Sequence, residues 1–239
     1  MKEKGKNIGL LLAGGKGERV HCARPKQFVE VGGRTVLGHT LAVFAATPGI
    51  DLIYTVCAPE WTGLAAEIGR KTCGRRFAGT VDGGETGIAS LRRGVEALAA
   101  AGRKPFDVVL VHDAVRPLVS PEIIADCIRV CREKGNAVAS AASRETFLCT
   151  DGQRPARTVW RRDTLHLAQT PVGFRLGTLQ EIFASADEQG IAASESLVTL
   201  CDALSLLPLH PSAGHWTNFK ITEDADLAIF RQLLQGCSR

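Results

Sequence analysis

Residues 11–28 read LLAGGKGERVHCARPKQF. The apolar run Ile8–Leu12 breaks here into small residues, Ala13, Gly14, Gly15 and Gly17, and two cations follow seven residues apart, Arg19 and Lys26. An apolar run that opens into glycine-rich backbone reads as a buried strand leading into an anion-binding turn. Glycines let main-chain N–H groups approach phosphate oxygens that a Cβ would hold away. Arg19 and Lys26 add full charges to those amide dipoles. Two other phosphate-binding patterns do not fit. A P-loop requires Lys followed by Ser or Thr after its second glycine, and the dinucleotide fingerprint requires a third glycine where Gly17-Glu18-Arg19 continues to Val20. The loop is read as a polyphosphate site with a catalytic role.

Outward from this loop, short apolar runs alternate with helical patterns. Ile8–Leu12, Leu52–Cys57, Phe77–Val81, Val108–Val111 and Ala137–Ala142 read as strands. Val36, Leu37, Leu41 and Phe44 fit one amphipathic helix, and Ile88, Leu91, Val95 and Leu98 fit another. Ser120 and Pro121 open a further helix that Gly135 is placed to stop. This pattern predicts an α/β fold, a Rossmann-like and mainly parallel sheet with helices on both faces. The pattern changes over residues 143–163, which are polar and arginine-rich. Phe147-Leu148 and Thr158-Val159-Trp160 flank the turn candidate Asp151-Gly152, predicting a protruding β-hairpin arm that packs on a partner. Residues 1–239 are read as one domain.

Composition narrows the class of partner. The net charge is +4, but residues 1–26 hold seven cations against two acids, so the rest of the chain is close to neutral. That distribution, with aromatics at only 5%, argues against a nucleic-acid surface and for a small anionic ligand. No apolar run approaches 18 residues, so no membrane span or secretory leader is expected, and the cytoplasm is the expected compartment. Eight cysteines lack paired C-x-x-C spacing and are expected to be reduced, most of them buried.

The strand at Val108–Val111 runs into His112-Asp113, and ligands of open α/β sheets bind beyond the carboxyl ends of the strands. Asp113 is therefore a candidate ligand for Mg²⁺ or for an acceptor hydroxyl, or else a residue that caps its own loop. Arg116 is either its structural partner or a phosphate contact. Neither a Ser/His/Asp nor a Cys/His arrangement is evident. A nucleotidyltransferase needs neither, because its nucleophile is the acceptor's own phosphate, mostly dianionic at neutral pH.

These motifs resemble the cytidylyltransferases that make CDP-methylerythritol and CDP-ribitol, whose first loop reads A-x-G-x-G-x-R followed by P-K-Q. The resemblance recurs in order at Val111-His112-Asp113-Ala114-Val115-Arg116-Pro117, Gln169-Thr170-Pro171 and Asn218-Phe219-Lys220-Ile221-Thr222. It implies the nucleotide-diphospho-sugar transferase type of fold. It also implies transfer of CMP from CTP to a small polyol phosphate, with Mg²⁺, in a homodimer whose arms clasp the partner subunit. Arg19, Lys26, Asp113 and Lys220 would be catalytic. Ala13, Gly14, Gly15, Gly17, Gly84, Glu85 and Ser90 would hold the nucleotide, the Gly83–Ser90 segment reading cytosine. Thr146, Arg162 and Arg116 would hold the acceptor, Thr146 and Arg162 across the dimer, with Arg161 the alternative to Arg162.

Besides Thr217, which precedes Asn218 where the methylerythritol enzymes often have Asp, three places depart from the family pattern. Gly87 stands where an arginine is usual, Val172 replaces the glutamine of T-P-Q, and Ala193-Ser194-Glu195-Ser196 replaces an acidic T-D-D-A segment. Methylerythritol 4-phosphate, of the non-mevalonate isoprenoid pathway, is the first acceptor expected, and ribitol 5-phosphate the alternative. The rival classes are a non-catalytic nucleotide-binding homologue and, more remotely, a dinucleotide oxidoreductase.

Overall fold

The computed structural model of the chain describes residues 5–14, 24–150, 152, 155–156, 158–191 and 194–236. In chain order it runs β1 (Asn7–Leu12), β2 (Glu30–Val31), β3 (Arg34–Thr35), α1 (Val36–Ala46), β4 (Leu52–Cys57) and α2 (Thr62–Cys73). There follow β5 (Phe77–Asp82), α3 (Gly87–Ala100), β6 (Val108–Asp113), α4 (Pro121–Lys134) and β7 (Asn136–Ala142). The remainder is β8 (Phe147–Cys149), β9 (Thr158–Trp160), β10 (His166–Arg175), α5 (Leu176–Glu188), α6 (Leu197–Ala203), β11 (Pro211–Ala213) and α7 (Asp224–Gly236).

Seven strands form the central sheet in the order β11-β7-β10-β6-β1-β4-β5. β1 pairs in parallel with β4 and β6, β4 with β5, and β7 with β11, while β10 alone runs antiparallel to its neighbours β6 and β7. Strands covered on both faces need apolar side chains in both directions, which is why β1, β4 and β6 read as continuous apolar runs. Leu11, Ile53 and Leu110 enter the core beneath α1, α2 and α4. Leu10, Val56 and Val109 enter the opposite core, beneath α3, α5 and α6. A third, smaller cluster seats α7 through Leu227 and Phe230 against Val31, Val36, Val115 and Ile221.

The predicted strands are present, β4 with the expected bounds and the other four extended by one or two residues. The change that matters is in β6, where His112 and Asp113 belong to the ladder, Asp113 pairing in register with Leu12. The helix opened by Ser120 and Pro121 also forms. The Ser120 hydroxyl accepts from the Ile123 N–H, and Gly135 ends the helix at φ +93°, a conformation costly for any residue with a Cβ. Strand β10 is not evident in the sequence pattern, and neither are β11 or the small β2–β3 hairpin. Strands β8 and β9 pair antiparallel, with Phe147 opposite Trp160, as the arm requires; Asp151 of its turn lies outside the described residues. Among the described residues no helix is long and apolar enough to cross a membrane. Cys57, Cys73, Cys127, Cys131 and Cys201 are buried and Cys149 is exposed, while Cys22 and Cys237 lie outside the described residues. Burial pushes the Cys57 and Cys73 thiols up to about 12, so both stay protonated.

His112 is fully buried, its ring 5.0 Å from that of Phe44. Burial pushes its pKa down from 6.5 to about 4, so the ring is neutral at physiological pH. Its Nε2 lies 3.3 Å from the Arg116 carbonyl, which can only accept, so the proton sits on Nε2. Nδ1 therefore accepts from the Thr170 hydroxyl at 3.0 Å, and the Thr170 oxygen accepts from the Asp113 N–H at 3.1 Å.

Two outcomes are expected. A Cβ on Gly9 of β1 would lie 2.8 Å from the Phe44 ring, so Gly9→Ala should cost about 1–3 kcal/mol by overpacking. Urea unfolding reads this as a lowered midpoint with an unchanged slope. The neutral His112 contributes stability that is complete above pH 6.5 and is lost as pH falls through 4, because the unfolded chain binds the extra proton. The loss should reach roughly 3 kcal/mol, and a His112→Gln variant should lack that part of the pH slope.

Candidate active site

The carboxyl ends of β1, β4, β5 and β6 lie along one edge of the sheet. Ala13 continues β1 by donating its N–H to Val56 O at 2.7 Å, Gly83 donates to Cys57 O at 2.6 Å, and Ala114 donates to Leu12 O at 2.9 Å. Three loops therefore leave this edge side by side. Gly14 lies under the second loop, where an added Cβ would meet the Ser90 hydroxyl at 3.2 Å. Gly15, Gly17 and Arg19 lie outside the described residues.

The P-K-Q segment returns to the end of β1. Gln27 is buried and donates from Nε2 to Ala13 O at 2.6 Å, tying a short 3₁₀ turn at Lys26–Phe28 to the end of β1. Phe28 stacks on Trp61 with ring centroids 5.1 Å apart. Lys26 is only 8% exposed, and its positive charge reaches Asp226 of α7. Burial alone would raise the Asp226 carboxyl, but hydrogen bonds from Thr222 and Glu223, with the Lys26 charge, hold it below its usual range.

In the second loop Ser90 is buried, and its Oγ both accepts from Gly84 N at 3.1 Å and lies 3.2 Å from Gly84 O. The hydroxyl thus ties down the backbone of the loop expected to read the base. Arg93 donates to Gly83 O at 2.7 Å from the far side. Glu85 is exposed, as is Gly87, whose missing Cβ would meet nothing within 4 Å.

Asp113 is the centre of the third loop. Its Oδ2 accepts from Arg116 Nε at 2.9 Å, and its Oδ1 from Lys220 Nζ at 3.1 Å. Arg116 also donates to Asn218 O at 2.8 Å, and Asn218 donates from Nδ2 to Thr170 O at 2.8 Å. Burial would raise the Asp113 carboxyl, but Lys220 and Arg116 outweigh it and hold the group below the usual carboxylate range. Asp113 thus does not cap its own loop, and Arg116 is its structural partner, here with its donors directed at Asp113 and Asn218.

The expectation that Asp113 ligates Mg²⁺ does not fit this donor set. Both carboxylate oxygens are held by cations. A divalent ion at Asp113 would have to displace Lys220 and sit beside Arg116.

A cavity of about 310 Å³ opens beside this cluster. Asp113, Arg116 and Lys220 line it, together with Gly87, Val172, Thr170 and Glu195. Two of the three departures from the family pattern, Gly87 and Val172, therefore face the same space as Asp113, and so does the Glu195 of the third. Thr146 and Arg162 are exposed on the arm and do not line this cavity within one chain. Arg161 is ion-paired with Asp163 at 2.6 Å, whereas Arg162 makes no ion pair among the described residues. Sequence reasoning misses the position of Thr170 behind Asp113 and that of Glu195 in the cavity. The Thr170 register follows from β10, whose internal Pro171 argues against a ladder strand. The ladder between β10 and β7 is in fact broken between Ala168 and Val172.

Comparison with known proteins agrees with this geometry. The family profile for 2-C-methyl-D-erythritol 4-phosphate cytidylyltransferase matches residues 8–235. A ribitol-5-phosphate cytidylyltransferase of Streptococcus agalactiae serotype Ia is 32% identical, over 95% of each chain. A 2-C-methyl-D-erythritol 4-phosphate cytidylyltransferase of Neisseria meningitidis serogroup A is 35% identical, over 98% of this chain and 99% of that one. The crystal structure of the corresponding Thermus thermophilus enzyme superimposes with a TM-score of 0.72 at 30% identity, covering 96% of this chain and 99% of that one. The loop, the Asp113 cluster and these matches lead to one conclusion: the chain belongs to the 2-C-methyl-D-erythritol 4-phosphate cytidylyltransferase family and is a CTP-dependent nucleotidyltransferase.

Proposed function

We propose that the chain joins CMP to 2-C-methyl-D-erythritol 4-phosphate and releases pyrophosphate. The observation that carries this reading is the Asp113–Arg116–Lys220 cluster, set at the strand edge beside the glycine loop in a chain the family profile spans almost completely. Ribitol 5-phosphate is the second reading, favoured by relatives of that name that cover 95% of the chain.

In the reaction an oxygen of the acceptor phosphate attacks the α-phosphorus of CTP. The bond from that phosphorus to the bridging α–β oxygen breaks, and its electron pair leaves with pyrophosphate. The attacking phosphate is already mostly dianionic, so no side chain has to remove a proton. The chain's contribution is position and charge. Arg19 and Lys26 neutralise the triphosphate, and the glycine loop with Gly84 and Glu85 seats the nucleotide. Lys220 draws the acceptor phosphate toward it and, on binding, exchanges part of its pairing with Asp113. Magnesium enters with the nucleotide as counter-ion to its phosphates, not as an ion held by Asp113.

The arm supports a homodimer. Leu148, Val159 and Trp160 are each at least half exposed, and an apolar cavity of about 470 Å³ lies between the hairpin and the start of β10. An isolated two-stranded hairpin is marginal in water, so a second copy of the chain is the surface that completes it. Thr146 and Arg162 then belong to the partner's acceptor site.

Pyrophosphate release with each nucleoside triphosphate and a panel of polyol phosphates tests the reading; activity with CTP and methylerythritol phosphate is expected, and none with ATP, GTP or UTP. Lys26→Ala and Lys220→Ala should each lower kcat on the order of 10²-fold without loss of fold by circular dichroism. Arg162→Ala chains mixed with Lys220→Ala chains should regain part of the wild-type rate, since each mixed dimer holds one intact site. Confirmed subunit exchange without any recovery refutes the shared site.

A further inference from the structure

Among the described residues eight polar side chains line the cavity beside Asp113, and seven of them are already engaged. Arg116 and Lys220 each pair with Asp113. Gln169 bonds the His215 backbone, donating to its carbonyl at 2.9 Å and accepting from its N–H at 3.2 Å, and Thr170 bonds Asp113 N and His112. Ser196 and Thr199 form a reciprocal capping box at the start of α6. Glu195 is the exception. It lines the cavity, is exposed, and makes no hydrogen bond or ion pair with any described residue.

The loop that presents Glu195 is nevertheless firmly built. Ser194 Oγ donates to Ser196 O at 3.1 Å and lies 2.8 Å from Thr199 Oγ1, and Ser196 N donates to the same Thr199 oxygen at 2.9 Å. Hydrogen bonds on both sides therefore fix the backbone that carries Glu195. The charges are also unequal. Two cations against Asp113 leave one positive charge for an acceptor phosphate, and Glu195 adds a carboxylate that can only accept hydrogen bonds.

We propose that Glu195 is the specificity-determining residue for the acceptor: its carboxylate accepts hydrogen bonds from the acceptor's hydroxyls and repels any acceptor that carries a second anionic group. This rests on the functional reading above and deepens it by naming the side chain that selects a neutral polyol over an acidic acceptor. A carboxylate binds a pair of neighbouring hydroxyls well, whereas a sugar-acid phosphate would bring its own carboxylate against it.

The test compares wild type, Glu195→Ala and Glu195→Gln on four acceptors. These are 2-C-methyl-D-erythritol 4-phosphate, ribitol 5-phosphate, pentyl phosphate as a chain without hydroxyls, and ribonate 5-phosphate as the matching acid. Glu195→Ala should raise the acceptor KM for the polyol phosphates roughly 10- to 100-fold, with the KM for CTP unchanged. Pentyl phosphate should behave alike in wild type and variant. Glu195→Gln should improve ribonate relative to ribitol 5-phosphate. An unchanged polyol KM, an equal loss with pentyl phosphate, or a parallel rise in the KM for CTP overturns the proposal. If wild type releases no pyrophosphate with either polyol phosphate, the functional reading fails. Calorimetric binding of ribitol 5-phosphate to wild type and Glu195→Ala then decides the Glu195 proposal alone: weaker binding to the variant upholds it and equal binding overturns it.

Discussion

The carboxylate of Asp113 is the contact on which the site is assembled. It joins the end of β6 to Arg116 in the following loop and to Lys220, more than a hundred residues later. A mostly buried carboxylate is tolerable only when paired, and loss of one partner of such a group typically costs several kcal/mol. The two partners are not equivalent. The Arg116 side chain is only 12% exposed and also binds the Asn218 carbonyl, so it is part of the framework. The Lys220 side chain is 44% exposed, has only Asp113 among its hydrogen-bonding partners in the described residues, and can exchange that pairing for a phosphate.

Behind this pair, the fully buried His112 and the cavity-lining Thr170 keep Asp113 and Arg116 in mutual register. Each hydrogen bond in the series has one allowed direction, set by the Arg116 carbonyl at one end and the Asp113 N–H at the other. The chemistry needs this order more than it needs a reactive side chain. When the nucleophile is supplied by the substrate, rate enhancement comes from where the charges are held and how little they must move.

Much of this is legible in the sequence because the signals are local. The strands at Ile8, Leu52 and Val108 are apolar on both faces and bounded by glycine or charge, so periodicity and length agree. The loop cations and Asp113 stand at strand ends, where ligands of such sheets collect. Strand β10 is illegible because its polar start at His166 and its internal Pro171 contradict the pattern of a central strand. It is held there by partners at residues 108–111 and 136–142, which no window along the chain includes. The pairing of Asp113 with Lys220 and the turn of Ser90 onto its own loop have the same origin. Residue type announces polar chemistry, but only the tertiary arrangement decides which polar groups are consumed by the protein itself.

The reversed direction of β10 has a consequence for how the arm is built into the molecule. Strand β7 ends at the same edge of the sheet where β10 begins, so the chain must turn back there whether or not an arm is present. The hairpin of residues 143–163 is an elongation of that obligatory turn. Its length is therefore decoupled from the register of the sheet. Residues added to it or taken from it change how far the arm projects, while the strand positions that hold Asp113 and Thr170 stay where they are. Evolution can thus lengthen or shorten the arm without retuning the strand edge from which it grows.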